Sequence, residues 1–495
     1  MEQFIKYNSV KIVLLTMFFV HCQVFAQAQI TVGAEQRIDF TSADGKGVYF
    51  ELLKKIYPDK HINFKIQSLN QSIEDFQQQK LDIIVGVDKY ELTNALFPQW
   101  YLDTEYPVLA FYQKQYTTIN YQSDLINLKP SWPDWYKFTK FIPSKKNPLV
   151  VTSLQAGFQA LAQQKADVFI EYAHNLPANV GDKIASVEIL PSQHIYVAFQ
   201  HNQFGRKLAQ RFDQQMESLR KKGELSKLFG REYQHSELAN YITNKKKMVI
   251  YTNSVSLLNN VPTQNKADEG QSLRFIFNLL NGYQITFKSF KNIDQMYQHK
   301  NQINACFTDL IKTPKRDKLF VASKALSLFL GFKLYSEQPL TIKEPIDLAL
   351  LLKSDHQYRL GTVSGRSYGR YLDDLLNTVS DDQLLQSPVD IKTLFKQFNK
   401  KRFNLLIEYP PLKAINWEQQ KKSLYSYQIK GAEKFILGHV MCAKSPLGVK
   451  FNKDFNLILE KFYHTSYFFN AQYQRVLPEN KTKFIQYFNE IFYPH

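Results

Sequence analysis

At 495 residues the chain exceeds what one core of ordinary size holds, so two or more domains are expected. Its 44% hydrophobic and 22% charged residues are those of a globular protein and exclude a disordered chain. The net charge of +17 is spread along the sequence without a nucleic-acid motif, and reads as a solvated basic surface rather than a DNA or RNA footprint.

Residues 1–28 have the pattern of an export signal: Lys6 and Lys11, the apolar run Ile12–Val20, then the small-x-small site Ala26-Gln-Ala28. The apolar run is too short to cross a bilayer, and His21 before Cys22 is too large for a lipid-attachment site. Cleavage after Ala26 or Ala28 and a soluble product are expected. Losing Glu2, Lys6 and Lys11 with the leader lowers the net charge from +17 to +16. Cys306 and Cys442 remain, and in an oxidising compartment they either pair or stay as buried thiols. No Cys/His spacing marks a metal site, and no cofactor is expected.

From Ile30 the pattern alternates strand and helix. Strands are expected at Ile30–Gly33, Ile62–Ile66, Leu81–Val85, Val108–Tyr112, Leu149–Val151, Val168–Tyr172 and Ile195–Gln200. Helices fall at Val48–Ile56, Ile73–Gln79, Leu154–Gln163, Gly205–Lys221 and Leu225–Leu228. The series restarts with a strand at Met248–Thr252 and a helix at Leu273–Leu280. It continues through Tyr283–Phe287, Ile293–Tyr297, Ile303–Phe307, Phe329–Tyr335, Tyr358–Val363, Tyr368–Leu376, Ile391–Phe398, Phe403–Glu408, His439–Ala443 and Lys450–Phe462. Two apolar strands, 166–172 and 402–409, both finish on Ile-Glu-Tyr. A glutamate just past such a run points to the carboxyl edge of its sheet. Alternation without hairpin signals predicts open, mostly parallel sheets, two per copy, with a cleft between paired lobes. The boundaries are set at 29–235 for the first copy, 236–247 for a linker ending in Lys245–Lys247, and 248–495 for the second copy.

One stretch carries the chemistry. Gly361–Gly369 reads as a strand that breaks on Gly365 and turns into a helix near Tyr368, offering backbone N–H groups and the Ser367 hydroxyl to an anion. Upstream, Lys312-Thr-Pro-Lys-Arg316 brings a two-pronged guanidinium suited to a carboxylate.

These motifs, with Cys442-Ala-Lys-Ser-Pro-Leu-Gly448, resemble those of periplasmic solute-binding proteins of family 3, the amino-acid-binding type. The first copy matches in layout, through Gly47–Ile56, 80–85, Phe97–Val108, Ala166–Tyr172 and Phe204–Tyr233. The resemblance covers nearly all of the chain after the leader. It implies an α/β protein of two tandem periplasmic-binding-protein-like (type II) domains, each of two lobes. It also implies a periplasmic, monomeric protein that holds a small molecule for a membrane transporter or sensor. Carried over, Arg316 with Thr313 clamps the ligand carboxylate; Gly365, Arg366 and Ser367 meet the same group; Glu408 takes the ammonium.

The first copy departs. It has no arginine between Arg37 and Arg206, so the clamp is missing and only Glu171 persists. Its region 129–146 offers Trp132, Trp135 and Tyr136, either as a stacking site for a ligand without a carboxylate or as ordinary packing in a partner-binding unit. The reading favours the partner-binding unit. Asn304 stands where the family usually carries Asp. Three functions compete: a non-catalytic binding protein, a cleft enzyme (a dehydratase or a peptidoglycan-associated activity) with Glu408 as acid or base, and a scaffold without ligand. The binding protein is the expectation.

Overall fold

The computed structural model describes residues 29–493, apart from 38, 90–91, 93, 137, 177–180, 231–232, 234–237, 239–240, 243, 255–256, 259–268, 291–292, 388–390 and 411–423. The expected leader therefore lies outside the described residues, as do five of the twelve residues of the expected linker. Among the described residues no helix is long and apolar enough to cross a membrane.

The chain forms two compact units. One joins the described residues up to Thr104 to His194–Tyr241; the other joins Glu105–Gln193 to the described residues from Ile242 onward. The first unit is built on one sheet, ordered His61–Ile66, Gln29–Ala34, Ile83–Val87, His194–Gln200, Ala95–Leu96, with Asp103–Thr104 also pairing with His194–Gln200. Ile83–Val87 is buried at every residue, which is why it reads as an unbroken apolar run. Helices Val48–Ile56 and Gln203–Lys221 close over the sheet with Phe50, Leu53, Leu208, Phe212 and Met216, apolar at helical spacing. Asn202 starts the second of these, its Oδ1 accepting the Gly205 N–H at 2.8 Å.

The second unit holds three sheets. Glu105–Gln193 supplies Ile184–Leu190, Val108–Gln113, Val168–Tyr172, Pro130–Pro133 and Leu149–Val151, in that spatial order. A third sheet runs Tyr283–Ser289, Lys246–Thr252, Ala305–Leu310, Phe435–Ala443, Phe320–Leu330; a fourth runs Leu384–Ser387, Leu360–Val363, Leu405–Glu408, Lys333–Ser336, Tyr425–Gln428. Taken in chain order, the strands of the first and third sheets occupy matching places, and so do those of the second and fourth.

The expectation of mostly parallel sheets is corrected: every sheet is mixed. Successive strand–helix–strand steps give the parallel pairs, such as Lys246–Thr252 with both of its neighbours. A strand that re-enters from elsewhere in the chain runs the other way, as Phe435–Ala443 does against Ala305–Leu310 and Phe320–Leu330. Because the antiparallel partners are far apart in sequence, no hairpin turn announces them. The single strand expected at Phe329–Tyr335 is also two, Phe320–Leu330 and Lys333–Ser336, in different sheets. They part at Gly331, where a Cβ would collide with the Glu433 carbonyl.

Cys306 and Cys442 are register partners on adjacent antiparallel strands and form a disulfide. Two aromatic helices that the sequence reading did not mark, Ser466–Tyr473 and Lys481–Phe492, finish the chain. They receive Glu105–Gln193 through polar groups. Gln122 Nε2 donates to the His464 carbonyl (2.6 Å), Ser466 Oγ to that of Phe141 (2.8 Å), and Asn470 Nδ2 to that of Lys140 (2.9 Å). Phe141 and Tyr467 meet edge to face at 5.3 Å.

Candidate functional site

The site is assembled from two short turns and one strand end of the second unit. Thr313 caps the helix Pro314–Leu319, its hydroxyl accepting the Arg316 N–H at 3.2 Å, with Pro314 pre-set for the first helical position. This turns Arg316 inward until it is only 3% exposed. Its Nη1 donates to the Ile311 carbonyl at 2.8 Å, and its Nη2 reaches the Gly365 carbonyl at 3.4 Å, a long contact. Among the described residues no carboxylate lies within ion-pair distance of it.

Strand Leu360–Val363 ends in a turn closed by the Arg366 N–H on the Val363 carbonyl (3.2 Å). Gly365 has φ +70°, a left-handed conformation that glycine adopts without strain, and a Cβ there would press on Ile293 at 3.1 Å. The expected helix start at Tyr368 is displaced: the helix runs Arg370–Leu376, with Gly369 at its N-cap. Its anchor is Asp373, which the sequence reading missed. Ser367 Oγ donates to Asp373 Oδ2 (2.5 Å) and the Tyr368 N–H to Oδ1 (2.6 Å). Burial pushes the Asp373 carboxyl up from its ordinary value, while these two bonds and the charge of Arg316 pull against that rise. Of the groups expected to face an anion, the Arg366 N–H is thus met by Val363 and the Ser367 hydroxyl by Asp373, and the neighbouring Tyr368 and Gly369 N–H groups are met by Asp373 and Ser367.

Glu408, at the end of strand Leu405–Glu408, is 2% exposed. Arg366 holds it in a bidentate pair, Nη1 to Oε2 at 2.7 Å and Nη2 to Oε1 at 2.8 Å, and Oε1 also accepts the Tyr409 N–H at 2.9 Å. The guanidinium lies against three rings, with centroids at 5.3 Å (Phe332), 5.3 Å (Tyr368) and 5.0 Å (Tyr409). Burial works against the Arg366 charge, but the Glu408 carboxylate outweighs it and the arginine pKa is raised. The structure thus joins Arg366 to Glu408 and Arg316 to Gly365, while Ser367 turns away to Asp373. The signal for the aromatic wall was present in the sequence, since Tyr409 follows Glu408 directly.

Glu171, in the segment Glu105–Gln193, is fully buried. Its Oε1 accepts the Tyr172 N–H (2.8 Å) and Asn175 Nδ2 (3.0 Å), and its Oε2 is buried without a partner. Burial raises its pKa, with those two bonds opposing. Register identifies what stands in place of the arginine. Pro130 pairs with Val168 as Leu360 pairs with Leu405, so Tyr136 follows Pro130 by the same step as Arg366 follows Leu360. Tyr136 packs on Tyr172 at 5.4 Å, as Arg366 packs on Tyr409. Trp132 is 4% exposed and meets Phe138 edge to face, whereas Trp135, at the step of Gly365, is 43% exposed. The two tryptophans are therefore separated, one in the core and one at the surface.

The fold around the site is α/β, with four mixed sheets in matching pairs of strand plans. No family model matches the chain, and no curated protein is similar to it. Solved structures similar to it include the BvgS periplasmic domain of B. pertussis, at 12% identity and TM-score 0.37 with 94% of each chain covered. A histidine-bound substrate-binding protein of a Streptococcus pneumoniae ABC uptake transporter shows 17% identity and TM-score 0.32 over 41% of this chain and 93% of that one. A histidine kinase sensor domain with similarity to periplasmic binding proteins shows 15% identity and TM-score 0.31 over 41% of this chain and 95% of that one.

Proposed function

We propose that this is an exported, periplasmic solute-binding protein of two tandem bilobed domains, 29–235 and 248–495, and that the second captures a small carboxylate for transport or sensing. The observation that carries this reading is Arg316, a buried guanidinium with no carboxylate at ion-pair distance among the described residues. A buried charge is costly until an opposite charge meets it, and a ligand carboxylate would do so. Capture without catalysis is supported by Glu408, the natural acid or base of a cleft enzyme, whose two oxygens both pair with Arg366.

Thermal unfolding of the exported chain with a panel of small carboxylates tests this. A ligand at about 100 times its Kd adds about 2.7 kcal/mol to the unit that binds it, and Arg316→Ala abolishes that shift. Absence of a shift with every compound favours a second reading, a scaffold without ligand. That reading has its own support in the engagement of Glu408 by Arg366 and of Ser367 by Asp373.

A further inference from the structure

We infer that the second unit rests against an anionic lipid surface through one edge of its third sheet. Ile242, Ile303 and Val449 enter the headgroup layer there, and the lysines around them pair with lipid phosphates. This goes beyond the carboxylate-binding reading of Arg316 and does not depend on it.

Strands Lys246–Thr252, Tyr283–Ser289 and Ala305–Leu310 run parallel and begin at one edge, where the antiparallel Phe435–Ala443 ends. Contacts tie the chain together along that edge. The Gly282 carbonyl accepts the Lys246 N–H at 2.9 Å, and a Cβ on Gly282 would lie 3.7 Å from Ile242. Asn304 Nδ2 donates to the Lys247 carbonyl at 3.2 Å, and Ser445 Oγ donates to the Ile303 carbonyl. Ser445 also caps helix Pro446–Tyr463, whose first turns leave Val449, Lys450 and Lys453 exposed. Three branched aliphatic side chains are thus exposed at one edge: Ile303 at 65%, Val449 at 50% and Ile242 at 48%. One such residue alone is ordinary, but three at one edge mark a contact surface.

The lysines set the chemistry of that surface. Lys450 pairs with Asp454 at 3.0 Å, whereas the exposed Lys246, Lys247, Lys444 and Lys453 have no ion pair among the described residues. Protein interfaces favour aromatic and arginine anchors and are depleted in lysine. Aliphatic chains among lysines suit a lipid surface instead, since the ammonium groups stay at the phosphates while the apolar chains reach below them. Arg316 follows the other end of Ala305–Leu310, so this surface and the candidate site lie at opposite ends of one strand.

Co-sedimentation of the exported chain with lipid vesicles tests this. Binding is expected to vesicles of phosphatidylcholine mixed with phosphatidylglycerol, to weaken as salt is raised, and to be absent with phosphatidylcholine alone. Each lysine at an anionic surface is worth about fivefold, so Lys246→Gln, Lys247→Gln and Lys453→Gln together lower binding roughly a hundredfold. The same charge removed elsewhere, by Lys165→Gln, Lys207→Gln and Lys222→Gln, leaves binding near that of wild type. Ile303→Ser with Val449→Ser lowers it roughly tenfold at unchanged charge. All these positions are exposed, and an unchanged unfolding midpoint verifies that each variant is folded. No binding to the mixed vesicles overturns the inference. So does an equal loss in the two lysine triples, which reduces the attraction to net charge. Self-association of the wild-type chain in velocity sedimentation, lost with Ile303→Ser and Val449→Ser, assigns the face to a second copy and overturns it as well.

Discussion

Two strands of this protein run into the same Ile-Glu-Tyr sequence and bury the same glutamate against different partners. Glu408 is matched by Arg366, whose guanidinium lies against three rings, whereas Glu171 has one oxygen without a partner and Tyr136 at the arginine's step. What the two share is the bond from the next residue's amide, 2.9 Å in one and 2.8 Å in the other. The strand end thus supplies the same backbone donor to both carboxylates, and the counterion is a separate part. An unmatched carboxylate then adjusts by its proton affinity: burial raises the Glu171 pKa, whereas the matched pair keeps Arg366 charged.

The sharpest way to break the comparison is to remove the counterion. Arg366→Ala leaves Glu408 buried and unpaired and is expected to cost about 3–5 kcal/mol in denaturant unfolding of its unit. Adding Glu408→Gln should recover part of that loss, and equal losses in the single and double variants would show that the arginine acts by packing alone.

Protonation of Glu171 gives a smaller effect of opposite sign. Its folded pKa lies above the ordinary 4.5, so the protonated form favours folding. That contribution is fully present below about 4.5, the unfolded value, and is lost as the pH rises through the raised folded value. Glu171→Gln should therefore flatten the pH dependence across this window and stabilise the chain by about 1 kcal/mol at neutral pH. Parallel profiles of unfolding midpoint against pH for the two proteins would contradict it. The smallest effect is at the clamp's support, where Thr313→Ala removes the cap under Arg316 and is expected to cost about 1 kcal/mol, read from the same unfolding curves.

Much of the fold was legible because burial leaves local patterns. The continuous apolar run of Ile83–Val87 and the helical spacing of Leu208, Phe212 and Met216 need only their own segment. Pairing direction did not show, since antiparallel partners such as Cys306 and Cys442 are 136 residues apart. In the candidate site, the residues were legible and their partners were not. Arg366 was valued for its backbone, yet its side chain crosses to a glutamate 42 positions away. Ser367 was expected to face an anion, and Asp373 intercepts it from the next turn of chain. The tyrosine that replaces Arg366 becomes visible only when the two Ile-Glu-Tyr strands are aligned by register.

The packing of Glu105–Gln193 on the last helices has a consequence in time. The Gln122 side chain waits for a carbonyl 342 residues further along the chain. At a synthesis rate of roughly 5–20 residues per second, that partner emerges roughly 20–70 s later. Throughout that interval the Lys140 and Phe141 carbonyls lack the donors Asn470 and Ser466, and the Phe141 ring lacks Tyr467. The second unit therefore completes its fold only after Ser466–Tyr473 has been made, and a helper that shields Glu105–Gln193 until then has a defined window in which to act.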